Sequence, residues 1–108
     1  MDIKELLDQA VHLLNLVPDG WDRDIYFDVS KLVEECGEVA ACLNKTEKTD
    51  EDLAEELADV MFVIAFIALK KDIDLNRALI SKHGKQVEKL LARFHSGKRA
   101  DPTKRISL

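Results

Sequence analysis

The chain is poor in the residues that break helices and in those that build sheets. Four glycines and two prolines punctuate 108 residues, too few turns for a many-stranded β fold. Aromatics make up 6% of the chain, so little of the bulky, ring-rich content of strands is available. The longest unbroken apolar run, Val60 to Leu69, is ten residues. That is too short to span a bilayer and suits a buried helix. Met1-Asp2-Ile3-Lys4-Glu5 has neither the basic nor the apolar region of a signal peptide. The two cysteines, Cys36 and Cys42, are six residues apart in one expected helix and point in separate directions. They read as reduced packing residues of a cytoplasmic protein. Of the histidines, His12, His83 and His95, none stands three residues after a glutamate. This argues against a Glu-x-x-His di-iron bundle.

What remains favours helix. Apolar residues are 46% of the chain, enough for a single modest core. The net charge of −5 is unevenly spread. Residues 34–59 carry ten acids against Lys45 and Lys48, whereas residues 96–108 carry Lys98, Arg99, Lys104 and Arg105 against Asp101. Duplex nucleic acid is a poor partner for so acidic a body; a metal–nucleotide complex is a good one, because the metal bridges carboxylate and phosphate.

The 3.6-residue period predicts four helices and an all-α fold. The first runs over 3–16, with Ile3, Leu6, Leu7, Ala10, Val11 and Leu14 on one stripe. Val17-Pro18-Asp19-Gly20 ends it. The second runs over 25–44, with Val29, Leu32, Val33, Cys36, Val39, Ala40 and Leu43 as its expected buried face. The short polar connection 45–49 implies an antiparallel neighbour. The third begins near Asp50, with Thr49 as N-cap and Asp52 completing a weak capping box. From Val60 it is apolar on all sides, the mark of a surrounded helix. Lys70 and Lys71 close it with charge that suits the helix dipole. The fourth follows Asp74 and runs to Phe94, with Leu75, Leu79, Val87, Leu90, Leu91 and Phe94 on its stripe and Gly84 interrupting it. Residues 1–95 thus read as one helical domain, and 96–108 as a basic tail ordered at most against a partner subunit.

Two acidic clusters stand out. Glu34-Glu35-Cys36-Gly37-Glu38 lies in the second helix, and Glu55-Glu56-Leu57-Ala58-Asp59 in the third. Glu35/Glu38 and Glu56/Asp59 are pairs three residues apart, neighbours on a helix surface. Acid pairs on helices are usually solvated faces balanced by lysines. Here the residues four positions on are Val39, Cys42, Val60 and Val63, so that balance is missing; only Lys31 can pair locally. Both clusters border an apolar stripe, where unpaired charge is expensive. If the two helices pack antiparallel with these turns level, four carboxylates meet. Oxygen ligands in that number suit Mg²⁺ or Mn²⁺, and without sulfur or imidazole they do not suit zinc. Such a site fits metal-assisted cleavage of a phosphoanhydride.

The paired motif, with Lys31-Leu32-Val33-Glu34-Glu35-Cys36-Gly37-Glu38-Val39-Ala40 and Glu55-Glu56-Leu57-Ala58-Asp59-Val60-Met61-Phe62 around it, resembles the MazG-like family of all-α nucleoside triphosphate pyrophosphohydrolases. The resemblance extends over about residues 20–95. It implies a four-helix bundle module that assembles as a homodimer or homotetramer. It also implies Mg²⁺-dependent cleavage of the α–β bond of a nucleoside triphosphate, with dNTP house-cleaning as the favoured role. By motif position, Glu35, Glu38, Glu56 and Asp59 would hold metal, and Glu34 and Glu35 would serve catalysis, Glu34 helping to place the attacking water. The family's Lys-x-x-x-Asn-x-x-Arg/Lys motif matches best at Lys82 to Lys89, with Gln86 where Asn is usual. Lys82, Lys85 and Gln86 are therefore expected substrate contacts, as are Trp21 for a base and Arg23 for phosphate. Tyr26 and Phe27 share with Trp21 the alternative of a plug at the helix start. The chain also resembles phosphoribosyl-ATP pyrophosphohydrolase of histidine biosynthesis. A non-catalytic helical oligomerisation or regulatory module is a third reading.

Overall fold

In a computed structural model, which describes residues 1–94, the chain forms four α-helices and, among the described residues, no strand. Helix α1 spans Ile3–Leu16, α2 Ile25–Asn44, α3 Asp50–Lys70 and α4 Leu75–Phe94. The basic tail and His95 lie outside the described residues. No helix among the described residues is long and apolar enough to cross a membrane.

Each of the first three helices starts on a side-chain cap. The Asp2 carboxylate accepts from the Glu5 amide at 2.8 Å, and Asp24 from the Tyr26 amide at 2.8 Å. Thr49 and Asp52 form a reciprocal capping box, with the Asp52 amide donating to Thr49 Oγ1 at 3.2 Å and the Thr49 amide to Asp52 Oδ2 at 2.9 Å. Those bonds, the backbone one first, hold the Asp52 carboxyl below its ordinary value. Between α1 and α2 the turn closes on itself, the Gly20 amide donating to the Val17 carbonyl at 3.0 Å. Gly20 is buried, and a Cβ there would collide with the Leu14 carbonyl oxygen. α3 ends without a glycine. The Ile73 amide reaches back to the Ala68 carbonyl at 2.9 Å and the Asp72 amide to Leu69 at 3.2 Å, with Asp72 at φ 52°. This is a Schellman stop with aspartate in the left-handed position usually taken by glycine.

Residues up to Leu75 form one compact unit, organised on α3, against which both α1 and α2 pack. Its core is Leu6, Ala10 and Ala65, flanked by Phe62 and Phe66, whose rings lie 6.5 Å apart one turn from each other. The α1 stripe is buried as its periodicity implies. The upper half of α3 is buried at Val63, Ala65 and Ala68, whereas Met61 is exposed, so that helix is covered on less than its full circumference.

Helix α2 departs from the expected face. Val29, Val33, Cys36, Ala40 and Leu43 are exposed, Val33 and Leu43 by 68% and 69%. The one buried residue of α2 is charged, Asp28. It shares a flank with the half-buried Lys31, Leu32, Glu35, Val39 and Cys42. The physical reason is Lys70. Rather than only closing α3, its ammonium donates to Asp28 Oδ2 at 2.8 Å and to the Arg23 carbonyl at 3.5 Å. The pair turns a polar flank of α2 inward and leaves the more apolar stripe outside.

The second compact unit begins at Asn76 and holds nearly all of α4. Every described residue of α4 beyond Leu75 is exposed, its apolar stripe included.

Candidate metal centre

Antiparallel packing of α2 and α3 puts Asp28 level with Lys70 at one end, and the two acidic clusters level with each other further along. Glu35 from α2 and Glu56 and Asp59 from α3 each bring a carboxylate oxygen within 4.8 Å of the others. The Asp28–Lys70 pair ties the two helices together at one end of the hairpin.

Three negative groups this close repel one another. The strain registers at Glu56, whose carboxyl is pushed up from its ordinary value. Partial burial is the leading cause, followed by a hydrogen bond with Glu35 and the charges of Glu35, Asp59 and Glu38. A carboxyl that holds its proton against neighbouring carboxylates belongs to a site short of positive charge. A divalent cation supplies that charge, and a donor set made of carboxylate oxygens fits Mg²⁺ or Mn²⁺. The residues present therefore suit the metal that the sequence motif implies.

Of the four expected ligands, three converge. Glu38 is exposed and outside the 4.8 Å group, though near enough for its charge to act on Glu56. The two leading acids of the α2 motif have different surroundings. The Glu35 side chain is 14% exposed and that of Glu34 58%. Lys31 reaches both, with Nζ 3.3 Å from Glu34 Oε1 and 3.9 Å from Glu35 Oε1.

One turn from the cluster along both helices, a half-open apolar cavity of about 450 Å³ begins at Lys31 and Val63. Leu13, Leu14, Phe27 and Phe66 contribute to its walls, and Arg23, Asp28 and Lys70 also line it. The Arg23 guanidinium lies over the Phe27 ring, 4.6 Å from its centroid, and pairs with Asp19 at 3.2 Å. Arg23 is thus at the cavity. Trp21 is half-exposed, and its indole N–H donates to Asn15 Oδ1 at 2.7 Å; it is not among the lining residues. Lys82, Lys85 and Gln86 are exposed on α4, in the other unit.

Sequence reasoning missed Asp28 and Lys70. Asp28 stands seven residues before Glu35, two turns up the same flank. Apolar periodicity passes over a flank whose key members are charged.

Comparison with known families bears on this arrangement. The model of the MazG nucleotide pyrophosphohydrolase domain matches residues 28–93, well over half of the chain and inclusive of both acidic clusters. No curated protein and no solved structure matches the chain.

Proposed function

The chain belongs to the MazG nucleotide pyrophosphohydrolase family, and we propose that it is a Mg²⁺-dependent nucleoside triphosphate pyrophosphohydrolase. It cleaves the α–β phosphoanhydride of deoxynucleotides to monophosphate and pyrophosphate, as a house-cleaning enzyme of the cytoplasmic dNTP pool. The observation that carries this reading is the convergence of Glu35, Glu56 and Asp59 within 4.8 Å, coupled to the raised carboxyl of Glu56.

In this mechanism Glu35, Glu56 and Asp59 would hold the metal, and Glu38, on the next turn of α2, would join them. These carboxylates would hold Mg²⁺, which would supply neutralisation of phosphate charge and Lewis-acid polarisation of a phosphoryl oxygen. Glu34 and Glu35 orient the attacking water and take its proton. The water oxygen bonds to phosphorus as the α–β bridge breaks, and pyrophosphate leaves with the bridging oxygen.

The cavity beside the cluster is the natural place for the nucleoside. It is apolar, half-open and roomy at about 450 Å³, and the Arg23–Phe27 stack offers a flat face to a base. Trp21 keeps the base contact assigned to it on the family resemblance, although it is held by Asn15 and does not line the cavity. Lys82, Lys85 and Gln86 are assigned the outer phosphate contacts on the family resemblance.

A second copy of the chain, in a homodimer or homotetramer, covers the apolar residues left outside. Tyr26, Val29, Val33 and Leu43 of α2 are exposed with Leu57 and Met61 of α3. No large side chain of the unit is fully buried, so association would supply hydrophobic burial that one copy lacks.

The experiment is to replace Glu56 with Ala and measure triphosphate hydrolysis in Mg²⁺ beside helical content. Loss of turnover by about 100-fold or more with the helices intact supports the assignment. Full activity in the variant contradicts it.

A further inference from the structure

Lys31 belongs to both halves of the site. Its ammonium lies 3.3 Å from Glu34 and 3.9 Å from Glu35, and the same side chain lines the apolar cavity. Phe27, Lys31 and Glu35 follow one another at four-residue intervals, so they form one ridge along α2. From Phe27 to Glu35 the ridge rises about 12 Å, from the aromatic platform at one end to the carboxylate cluster at the other, with a single cation between.

That cation has a partner it cannot keep. Glu35 is the α2 member of the convergent cluster. Once its carboxylate is given to a divalent cation, the Lys31 ammonium loses half of its ion pairing and faces a like charge nearby. Asp28, one turn earlier, is already taken by Lys70 at 2.8 Å. Glu34 remains, accepting from Lys31 at 3.3 and 3.4 Å, but its side chain is 58% exposed, so water competes for that contact. The lysine stem is flexible, its side chain is 39% exposed, and it can swing toward the cavity without unpacking.

We propose that Lys31 is a cation used twice. In the metal-free protein it is a counter-ion shared by Glu34 and Glu35. When metal occupies the cluster, it becomes the contact for the phosphate oxyanion that joins the metal-bound end of the nucleotide to its nucleoside in the cavity. Metal binding and substrate binding are thereby ordered, because the metal frees the lysine that the phosphate needs. This role rests on the function proposed above.

The consequence is a pair of effects of opposite sign, which a merely structural lysine would not give. With Lys31→Met, Mn²⁺ titrated into nucleotide-free protein should bind about two- to fivefold tighter, because a competing cation is gone. The same variant should lose about 10- to 100-fold in kcat/KM for the triphosphate, mostly through KM, because a charged phosphate contact is gone. Lys31→Arg should restore most of the kcat/KM. Mn²⁺ affinity that is unchanged or weaker in Lys31→Met, or an unchanged kcat/KM, overturns the role of Lys31 while leaving the function standing. A wild-type protein that binds no Mn²⁺ and cleaves no triphosphate overturns both.

Discussion

Lys70 Nζ and Asp28 Oδ2 lie 2.8 Å apart with both side chains almost out of water, 8% and 5% exposed. They join the last turn of α3 to the first turn of α2, and so fix how far the two helices slide past each other. Because Glu35 and the Glu56/Asp59 pair lie further along the same two helices, this contact also sets the acids level.

Removing one partner of such a pair strands a buried charge. Asp28→Ala should lower stability by about 3 kcal/mol in chemical denaturation. The double variant Asp28→Leu/Lys70→Met removes both charges and should return to within about 1 kcal/mol of wild type. A single variant as stable as wild type would show that the pair is not what holds the hairpin.

Glu56 provides a pH signature. Its carboxyl is raised above an ordinary value of 4.5 by burial, by Glu35 and by the neighbouring charges, so the folded state holds this proton more tightly than the unfolded chain does. The sign follows from linkage: the metal-free protein gains most from this group below the ordinary value and loses it as pH rises through the raised folded value. Thermal melts in chelator should therefore show stability falling over that window relative to Glu56→Gln, which lacks the proton to lose. Added Mg²⁺ should reverse the slope, since metal and proton compete for the same oxygens. Parallel profiles for the two proteins would contradict the crowding of charge at Glu56.

Backbone sites make two opposed predictions. Asp72 sits at φ 52°, so Asp72→Gly should stabilise by about 0.5–1 kcal/mol. At Gly20 the missing Cβ makes room for the Leu14 backbone, and Gly20→Ala should destabilise by about 2 kcal/mol. Equilibrium unfolding of both variants checks them together.

The four helices were legible in the sequence, because strong amphipathic periods were bounded by local signals such as Pro18 and Thr49; the Asp2 and Asp24 caps came to light only in the structure. The acidic cluster was legible in part. Spacing on two antiparallel helices brought Glu35, Glu56 and Asp59 together, but Glu38, three residues on from Glu35 and so about 60° further round α2, lies exposed outside the group. The inward flank of α2 was not legible. Hydrophobic periodicity selects Val29, Val33 and Leu43, and nothing local says that Asp28 will be buried by a lysine 42 residues away. The α3 stop was also hidden, since Asp72 does there what a glycine ordinarily announces.

The exposed stripe on α2 bears on assembly. Val33→Asp puts a charge in the middle of it without touching the acidic cluster. Light scattering behind size-exclusion chromatography should find the wild type as a dimer or tetramer and the variant shifted to monomer, with a lower melting temperature. A monomeric wild type with full activity would contradict the proposed role of a second copy.

The most direct test of the account is product analysis of the purified protein with Mg²⁺ across the dNTPs, the NTPs and phosphoribosyl-ATP. A nucleoside monophosphate and pyrophosphate are expected in equal amounts from a deoxynucleotide, abolished by chelator and by Glu56→Ala. Release of inorganic phosphate and a diphosphate, cleavage of phosphoribosyl-ATP alone, or no turnover with Mg²⁺ or Mn²⁺ would contradict it.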